Sequence, residues 1–306
     1  MRKLSLTEVG LDDNMLRALL NCCPLIDDFI IEHCHLMTKI ELNQSVTIQT
    51  PTLQHLSYFG CFREESPVLD IVECRNLKSL QLTDMRICEI GKVQNLWESI
   101  PKLLAIENCK GLQEIDAPNL VSLEYDGDQI PQLKIAKRSR QLKKSEICLD
   151  SLKDLNAAWF GELRKFLSKS SSWSLVFLSF EECSEINMKD LVLHHTVSTP
   201  KVNDLVAVCI ESSDKYPTLL VDALLWSCHP KRLILKSSIE TISCFMDRLM
   251  YMKNWTCHGS KHRNSQLKEV KAYKFDSEHQ CVKLESGELA MRDLTETETV
   301  SFQLYW

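Results

Sequence analysis

Residues 50–60 read TPTLQHLSYFG, and residues 117–127 read APNLVSLEYDG. The two segments share Pro, Leu, Leu, Tyr and Gly at the same offsets. They lie 67 residues apart, which corresponds to three periods of about 22 residues, and a period of this size is typical of repeat architectures. Within each segment apolar and polar residues alternate, so each repeat is predicted to contain a short strand that is buried on one side.

A shorter pattern, three spaced apolar residues followed by a corner residue, recurs six times within residues 1–128. The six copies carry, at the same strand position, Leu4, Phe29, Leu56, Leu80, Leu104 and Leu123. Because one repeat cannot bury its own apolar side, we expect these side chains to stack in one buried column along a parallel sheet. The pattern is typical of leucine-rich repeats and predicts an α/β solenoid shaped as an irregular horseshoe.

Three cysteines, Cys34, Cys61 and Cys109, fall at the corner that follows a predicted strand. Leucine-rich repeats place Asn or Cys at this corner, where the side chain fills a narrow space next to backbone carbonyls. We therefore expect these three thiols to be buried and structural. The sequence shows no signal-peptide pattern, so its 14 cysteines are interpreted as reduced thiols of a cytoplasmic or nuclear protein.

The pattern changes at about residue 136, which divides the chain into three predicted parts. Residues 1–135 are assigned to leucine-rich repeats, with a helix over 12–22 and a shorter helical turn over 94–101. Residues 136–250 are assigned to degenerate repeats with longer helices. Residues 251–306 are predicted to form a small C-terminal α+β unit that caps the solenoid.

Hydrophobic spacing predicts individual elements in the second and third parts. Residues 149–167 are expected to form the longest helix, followed by a buried strand over 173–180. A second helix and strand are predicted within 217–235, and a terminal strand over 300–306. Residues 187–204 are expected to form a loop.

The charge balance narrows the range of partners. The chain has 36 Lys and Arg residues against 42 Asp and Glu residues, for a formal charge of −6 at pH 7. Such a chain has no overall attraction to nucleic acid or to anionic lipid. No apolar run reaches the length of about 18 residues that a membrane span needs, so neither nucleic acid nor membrane is expected as a partner.

Motifs for catalysis or cofactor binding are missing from the sequence. It contains no nucleotide-binding glycine loop and no serine-hydrolase elbow. The best groups for a metal ion are Cys257 and His258 with His262, and the pair Cys228 and His229. A structural zinc site needs four ligands in two close pairs, whereas adjacent side chains diverge. We therefore predict that the protein is not an enzyme and has no catalytic residue, metal or cofactor.

Several stretches resemble the plant F-box/leucine-rich-repeat proteins of the FBD-like group. These stretches are residues 16–34, 76–82, 100–128, 220–235 and 266–275. Members of that family are target-recognition subunits of Skp–cullin–F-box ubiquitin ligases, in which an N-terminal F-box binds a Skp-type adaptor and the repeats hold a protein target. This chain begins inside a repeat and lacks that F-box, so the resemblance implies a Skp-type adaptor only through a missing N-terminal segment. The alternatives are a leucine-rich-repeat scaffold without a degradative role and a truncated or degenerate gene product.

If a partner site exists, we expect it on the solvent face of the repeat strands rather than in a pocket. The outward positions of the six strands, next to the buried column, are Ser5, Ile30, Ser57, Gln81, Ala105 and Glu124. Four of them are polar, two are apolar and none is basic, which favours a protein partner over nucleic acid. The alternative interpretation is that they are ordinary solvated strand residues.

The first strand, over residues 3–6, is predicted to have an open edge. Open strand edges associate, because their amides and carbonyls are ready to pair with another strand. We therefore expect poor solubility or self-association of the chain, relieved by an additional upstream segment.

Overall fold

In the computed structural model the chain consists of two compact units, Met1–Ile147 and Cys148–Trp306. The residues that it describes are 1–11, 13–36, 45–48, 51–59, 68–71, 76–84, 92–93, 102–109, 112, 114–117, 120–134, 142, 144–152, 155–170, 173–180, 186–193, 198–209, 217–254, 267–275, 281–283 and 297–306. The helical turn predicted over 94–101 lies outside the described residues. The three-part division made from the sequence stays a prediction.

The first unit consists mainly of parallel strands. Its elements are β1 (Lys3–Thr7), β2 (Gly10–Leu11), α1 (Asp13–Cys22), β3 (Asp28–Glu32), β4 (His35–Leu36), β5 (Ser45–Ile48), β6 (His55–Phe59), β7 (Val68–Ile71), β8 (Ser79–Thr83), β9 (Lys92–Val93), β10 (Leu103–Glu107), β11 (Glu114–Asp116), β12 (Ser122–Gly127) and β13 (Gln132–Lys134). Strand β14 (Lys144–Leu152) crosses the division. The main sheet of this unit has the order β1-β3-β6-β8-β10-β12, and β9, β11 and β13 form a smaller parallel sheet.

The predicted column is confirmed by the register of the main sheet. Leu4 pairs with Phe29, and the pairing continues strand by strand through Leu56, Leu80, Leu104 and Leu123. Five of the six side chains are at most 2% exposed, whereas Leu4 on the terminal strand is half-buried. The column is buried because each strand covers the apolar side chain of its neighbour. A strand at the end of the sheet has a neighbour on one side only, so its apolar side chain is only partly covered.

The backbone repeats the same hydrogen bonds from strand to strand. The carbonyl just before each strand accepts two amides from the start of the next, with N···O distances of 2.7–3.1 Å. The accepting residues are Arg2, Asp27, Gln54, Lys78 and Lys102. This repeated pairing satisfies the backbone at each strand entrance and keeps all six strands in one register.

The corner after the strand is repeated too. Glu8, His33, Asp84 and Asn108 each follow a strand and adopt a left-handed φ of 50–56°. His, Asp and Asn enter this region more readily than most residues. The amide of His33 donates to the carbonyl of Phe59 at 3.1 Å, and the amides of Glu8 and Asp84 donate in the same way to the next strand end. These bonds offset the conformational cost of the turn.

The structural role predicted for the corner cysteines is confirmed for two of the three. Cys34 and Cys109 are buried, at 4% and 0% exposure. The thiol of Cys34 donates to the carbonyl of Leu6 at 3.4 Å, and that of Cys109 to the carbonyl of Leu82 at 3.8 Å. Each thiol therefore binds the preceding repeat across the corner. Cys61 lies outside the described residues.

The second unit combines helices with a mixed sheet. Its elements are α2 (Ala157–Leu167), β15 (Trp173–Phe180), α3 (Met188–Leu193), β16 (Lys201–Cys209), α4 (Pro217–Ser227), β17 (His229–Ser238), α5 (Ile239–Asn254), β18 (Glu269–Phe275), β19 (Cys281–Lys283) and β20 (Thr297–Tyr305). The strand order is β15-β16-β17-β20-β18-β19. The first three strands are parallel, and β20, β18 and β19 pair antiparallel. Fully buried aromatic side chains fill the core: Phe160, Trp173, Phe180, Phe245 and Phe302.

The predicted strand over 173–180, the helix and strand within 217–235 and the terminal strand are confirmed. The helix predicted over 149–167 begins only at Ala157, where the side chain of Asn156 caps it by accepting the Trp159 amide at 3.1 Å. Leu149 and Leu152 lie instead in β14. Their spacing of three residues is typical of a helix, but Ser145, Ile147 and Leu149 are buried at the spacing of two that a strand requires.

Two further differences concern elements that the sequence analysis did not assign. Residues 187–204 are not one loop, since they contain α3 and the start of β16. Asn203 and Asp204 interrupt the apolar alternation of β16, which explains the wrong prediction. The longest described helix is α5, whose buried Ile242, Phe245 and Leu249 have helical spacing.

The chain is therefore a mixed α/β protein whose sheet strands are mostly parallel. No helix in the described ranges is both long and apolar enough to cross a membrane.

We expect Leu80→Ala to lower the free energy of unfolding by about 2–5 kcal/mol, because it opens a cavity in the middle of the column. Urea unfolding followed by circular dichroism measures this change. Gln81→Ala is the matched control, since Gln81 lies next to Leu80 on the opposite face of the same strand and should change stability by less than about 0.5 kcal/mol. Equal losses in the two variants would contradict the column.

Thiol labelling tests the corner role. In the native protein, Cys34 and Cys109 should react with iodoacetamide much more slowly than Cys22, which is exposed on α1. Mass spectrometry of the labelled peptides at successive times resolves the three rates. In urea the three rates should become similar, and rapid native labelling of the two corner thiols would rule out their buried role.

Candidate functional site: the outer strand face of the first unit

The six residues predicted as a binding face form one row on the main sheet of the first unit. Ser5 pairs with Ile30, and the row continues through Ser57, Gln81, Ala105 and Glu124. Their side chains point away from the buried column because successive residues of a strand face opposite sides. The structure therefore brings together all six predicted residues, although they span 119 residues of sequence.

The row is accessible and only weakly held. Ser5 and Glu124 are exposed, and the four residues between them are half-buried. The one side-chain bond within the row joins the Ser57 hydroxyl to the Gln81 side-chain oxygen at 3.5 Å, at the long limit for such a bond. Side chains held this loosely can rearrange around a partner at little cost.

The outer strand face is wider than the predicted row, and these additional residues were missed from the sequence. Two flanking rows share its orientation, since they lie two positions away along the same strands. They comprise Lys3, Asp28, His55, Ser79, Leu103 and Ser122 on one side, and Thr7, Glu32, Phe59, Thr83, Glu107 and Asp126 on the other. The same alternation of inward and outward residues that identified the central row would also have identified these flanking residues.

Leu103 is the most informative of these additional residues. It is 48% exposed, which is high for a leucine in the middle of a sheet. Ala105 lies two residues further along the same strand, and Ile30 and Phe59 are half-buried on the same face. Apolar side chains surrounded by polar ones are typical of protein-binding surfaces.

The charge of the outer strand face is negative. Its described strand residues include five carboxylates, on Asp28, Glu32, Glu107, Glu124 and Asp126, against the single ammonium group of Lys3 at one end. A negative surface of this kind is electrostatically complementary to basic side chains.

The pair Cys228 and His229, considered above for metal binding, has a structural explanation. Cys228 is fully buried at the end of α4, and its thiol donates to the carbonyl of Leu224 at 3.8 Å. Burial raises the pKa of Cys228 to about 12, so the thiol stays protonated at neutral pH. The adjacent His229 points elsewhere and stacks on Trp306, with ring centroids 4.0 Å apart.

His229 is held neutral by its surroundings. Burial lowers its pKa to about 4, and the positive charges of Arg164 and Lys201 add to the effect. Arg164 donates to the Trp226 carbonyl at 2.7 Å and to the Thr199 hydroxyl at 3.0 Å, and its guanidinium lies 4.5 Å from the centre of the Trp226 ring. Arg164 thus connects α2 to the C-terminus of α4, a structural role that the sequence analysis missed.

Metal ligands do not converge in the part of the chain that the structure describes, where no group of three or more His, Cys, Asp or Glu side chains could hold an ion. Cys257, His258 and His262 lie outside it. The arrangement found on the outer strand face, a row of loosely held polar and apolar side chains on a rigid sheet, is suited to binding.

The low pKa of His229 makes the folded state sensitive to acid. In the unfolded chain a histidine takes up its proton near pH 6.5, whereas in the folded chain His229 does so near pH 4. This difference stabilises the fold above pH 6.5, and the stabilisation is lost as the pH falls from 6.5 to 4.

We expect His229→Phe to keep the stacking on Trp306 and to reduce the loss of thermal stability between pH 6.5 and pH 4. A difference of a few degrees in Tm is expected, since about 1 kcal/mol shifts Tm by about 2–4 °C in a unit of this size. Differential scanning calorimetry of both proteins across this range measures it. Carboxylates that titrate in acid are the same in both proteins, so their effect cancels in the difference between the two Tm curves. Parallel Tm curves would therefore contradict a neutral, buried His229.

Comparison with known proteins adds no relative to these observations. No protein-family model matches the chain. No curated protein matches it. No solved structure matches it. The function is therefore inferred from the residues and geometry of the chain itself.

Proposed function

We propose that the first unit is a leucine-rich-repeat solenoid, and that the chain is a protein-binding module whose outer strand face receives a protein target. The observation that carries the proposal is the exposed row from Ser5 to Glu124, which lies in register over a fully buried column. Such a face offers a wide surface whose residues can vary without loss of the fold.

The repeat assignment is supported by features that recur together. The strands of the main sheet follow one another at 19 to 27 residues, each entrance has the doubly accepting carbonyl, and several corners have the left-handed residue. The thiols of Cys34 and Cys109 occupy equivalent corners. In a sheet without repeats, these hydrogen bonds, left-handed residues and corner thiols would not be expected to recur together at one period.

The chemistry of the face suggests the kind of target. Apolar contacts at Ile30, Phe59 and Leu103 would supply affinity, and the surrounding carboxylates would orient a basic partner. The target that we propose is therefore a protein segment rich in Lys or Arg with apolar residues between them.

We further propose that binding serves target recognition for a cullin-type ubiquitin ligase, as the resemblance to F-box/leucine-rich-repeat proteins implies. Binding of a Skp-type adaptor is assigned to none of the 306 residues, because in that family an F-box performs it. The second candidate is a scaffold that holds its partner without marking it for degradation. We place either activity in the cytoplasm or the nucleus, with no enzymatic step and no cofactor.

A variant that adds positive charge tests the binding face. Proteins are captured from a plant cell extract on the wild-type chain and on a variant that combines Ile30→Arg with Leu103→Arg. Capture of a protein that binds the outer strand face should fall by about tenfold or more in the variant, because the new cations lie where we expect a basic partner. The control is Leu25→Arg combined with Gln132→Arg, which adds the same charge at exposed positions off the face. Quantitative mass spectrometry measures the amount of each captured protein. The Tm of each variant is measured as well, to show that the variants remain folded.

If no captured protein distinguishes the face variant from the control at equal stability, the binding face is wrong. A further step separates the two candidates. The chain is fused to an F-box and supplied with adaptor, cullin, ubiquitin-conjugating enzyme and ubiquitin. Ubiquitin transfer to a captured protein supports the ligase role, whereas face-dependent capture without transfer supports the scaffold.

A further inference from the structure

The terminal strand β1 has a partner on one side only among the described residues, where it pairs with β3. Leu4 and Leu6 are half-buried in β1, whereas their neighbours in β3, Phe29 and Ile31, are 0% exposed. Proteins commonly protect such an edge with proline or with a charge on the inward side. Strand β1 has neither, since its inward residues are both leucine.

The hydrogen bonds to β3 show which groups of β1 face the open edge. The carbonyl of Arg2 and the amide of Glu8 both bond to the β3 side. Alternate residues of a strand direct their amide and carbonyl groups to opposite edges, so the even-numbered residues face β3. Lys3, Ser5 and Thr7 therefore direct their amide and carbonyl groups to the edge of the sheet that faces away from β3.

These three residues are arranged symmetrically about Ser5. If a second β1 lies antiparallel with Ser5 opposite Ser5, then Lys3 lies opposite Thr7 and Thr7 opposite Lys3. Each of these pairs can exchange two backbone hydrogen bonds, as antiparallel strands require at alternate positions. On the inward face Leu4 then meets Leu6, so the apolar column continues into the second copy.

The side chains beyond the ladder are complementary in the same register. Arg2 lies just before the strand and Glu8 lies at the left-handed corner just after it, so in this register each end of the paired strands has Arg2 of one copy near Glu8 of the other. A shift of the centre to Leu4 or Leu6 would lose hydrogen-bonded pairs and would place a charged residue opposite leucine. The opposite charges of Arg2 and Glu8 at the two ends, together with the contact of Leu4 with Leu6, point to a second copy of this chain.

We propose that two copies of this chain associate through their β1 edges, antiparallel and centred on Ser5, to form one continuous sheet. The outer strand face of one copy then continues into that of the other. This inference concerns the edge of the sheet and does not depend on the nature of the target.

A charge swap tests the register. Sedimentation of the purified 306-residue chain should show a dimer whose fraction rises with concentration. Arg2→Glu and Glu8→Arg should each weaken dimerisation by about tenfold, because each places like charges at both ends of the ladder. The double variant should restore the wild-type dissociation constant to within about threefold. The ion pair of Arg2 with Asp27, at 3.8 Å and largely exposed, contributes little to the fold, so the single variants should remain folded.

A cross-link tests the symmetry centre. Directly opposed residues in a hydrogen-bonded antiparallel pair lie about 5.5 Å apart between Cα atoms, within the range of a disulfide. Mild oxidation of Ser5→Cys should yield a peptide linked through position 5 to itself, and Ser57→Cys in the middle of the sheet should not. A monomer up to about 100 μM, a dimer that ignores both charge changes, or no self-link at position 5 would each overturn the proposal.

Discussion

Burial of the apolar column is the constraint on which the first unit depends. A strand of five residues exposes two or three apolar side chains on one side, and nothing within its own repeat covers them. Phe29, Leu56 and Leu80 become buried only because the neighbouring strands lie in the same register. The repeated backbone bonds at the strand entrances and the corner thiols follow from the same requirement, because a slip of one residue would turn every leucine outward.

The candidate binding face is a consequence of that constraint. Once alternate residues are committed to the column, the residues between them contribute little to stability and are available for recognition. This is why the face can combine Leu103, largely exposed, with carboxylates such as Glu107 on the same strand. The same logic explains why Leu4, in the last strand of the described sheet, stays half-buried.

The second unit is stabilised differently. Its helices and mixed sheet are connected by contacts between residues far apart in sequence, such as the bonds from Arg164 to Thr199 and Trp226. The indole of Trp306 donates to the carbonyl of Pro230 at 2.8 Å and its ring stacks on His229, which attaches β20 to the start of β17. These contacts are made by individual polar side chains and do not recur at a regular spacing, so no sequence period predicts them.

The sequence alone determined the parallel strands of the first unit, their register and the row of outward residues, because each repeat restates the same alternation and the spacing aligns the copies. It also indicated the role of Cys34 and Cys109, since corner chemistry is local. Tertiary structure decided where α2 begins, whether 187–204 is a loop, and the antiparallel pairing of β20 with β17 and β18. The physical reason is that the short apolar run from Ile147 to Leu152 contains both the spacing of two that suits a strand and the spacing of three that suits a helix, and only the neighbours that bury these side chains decide between the two.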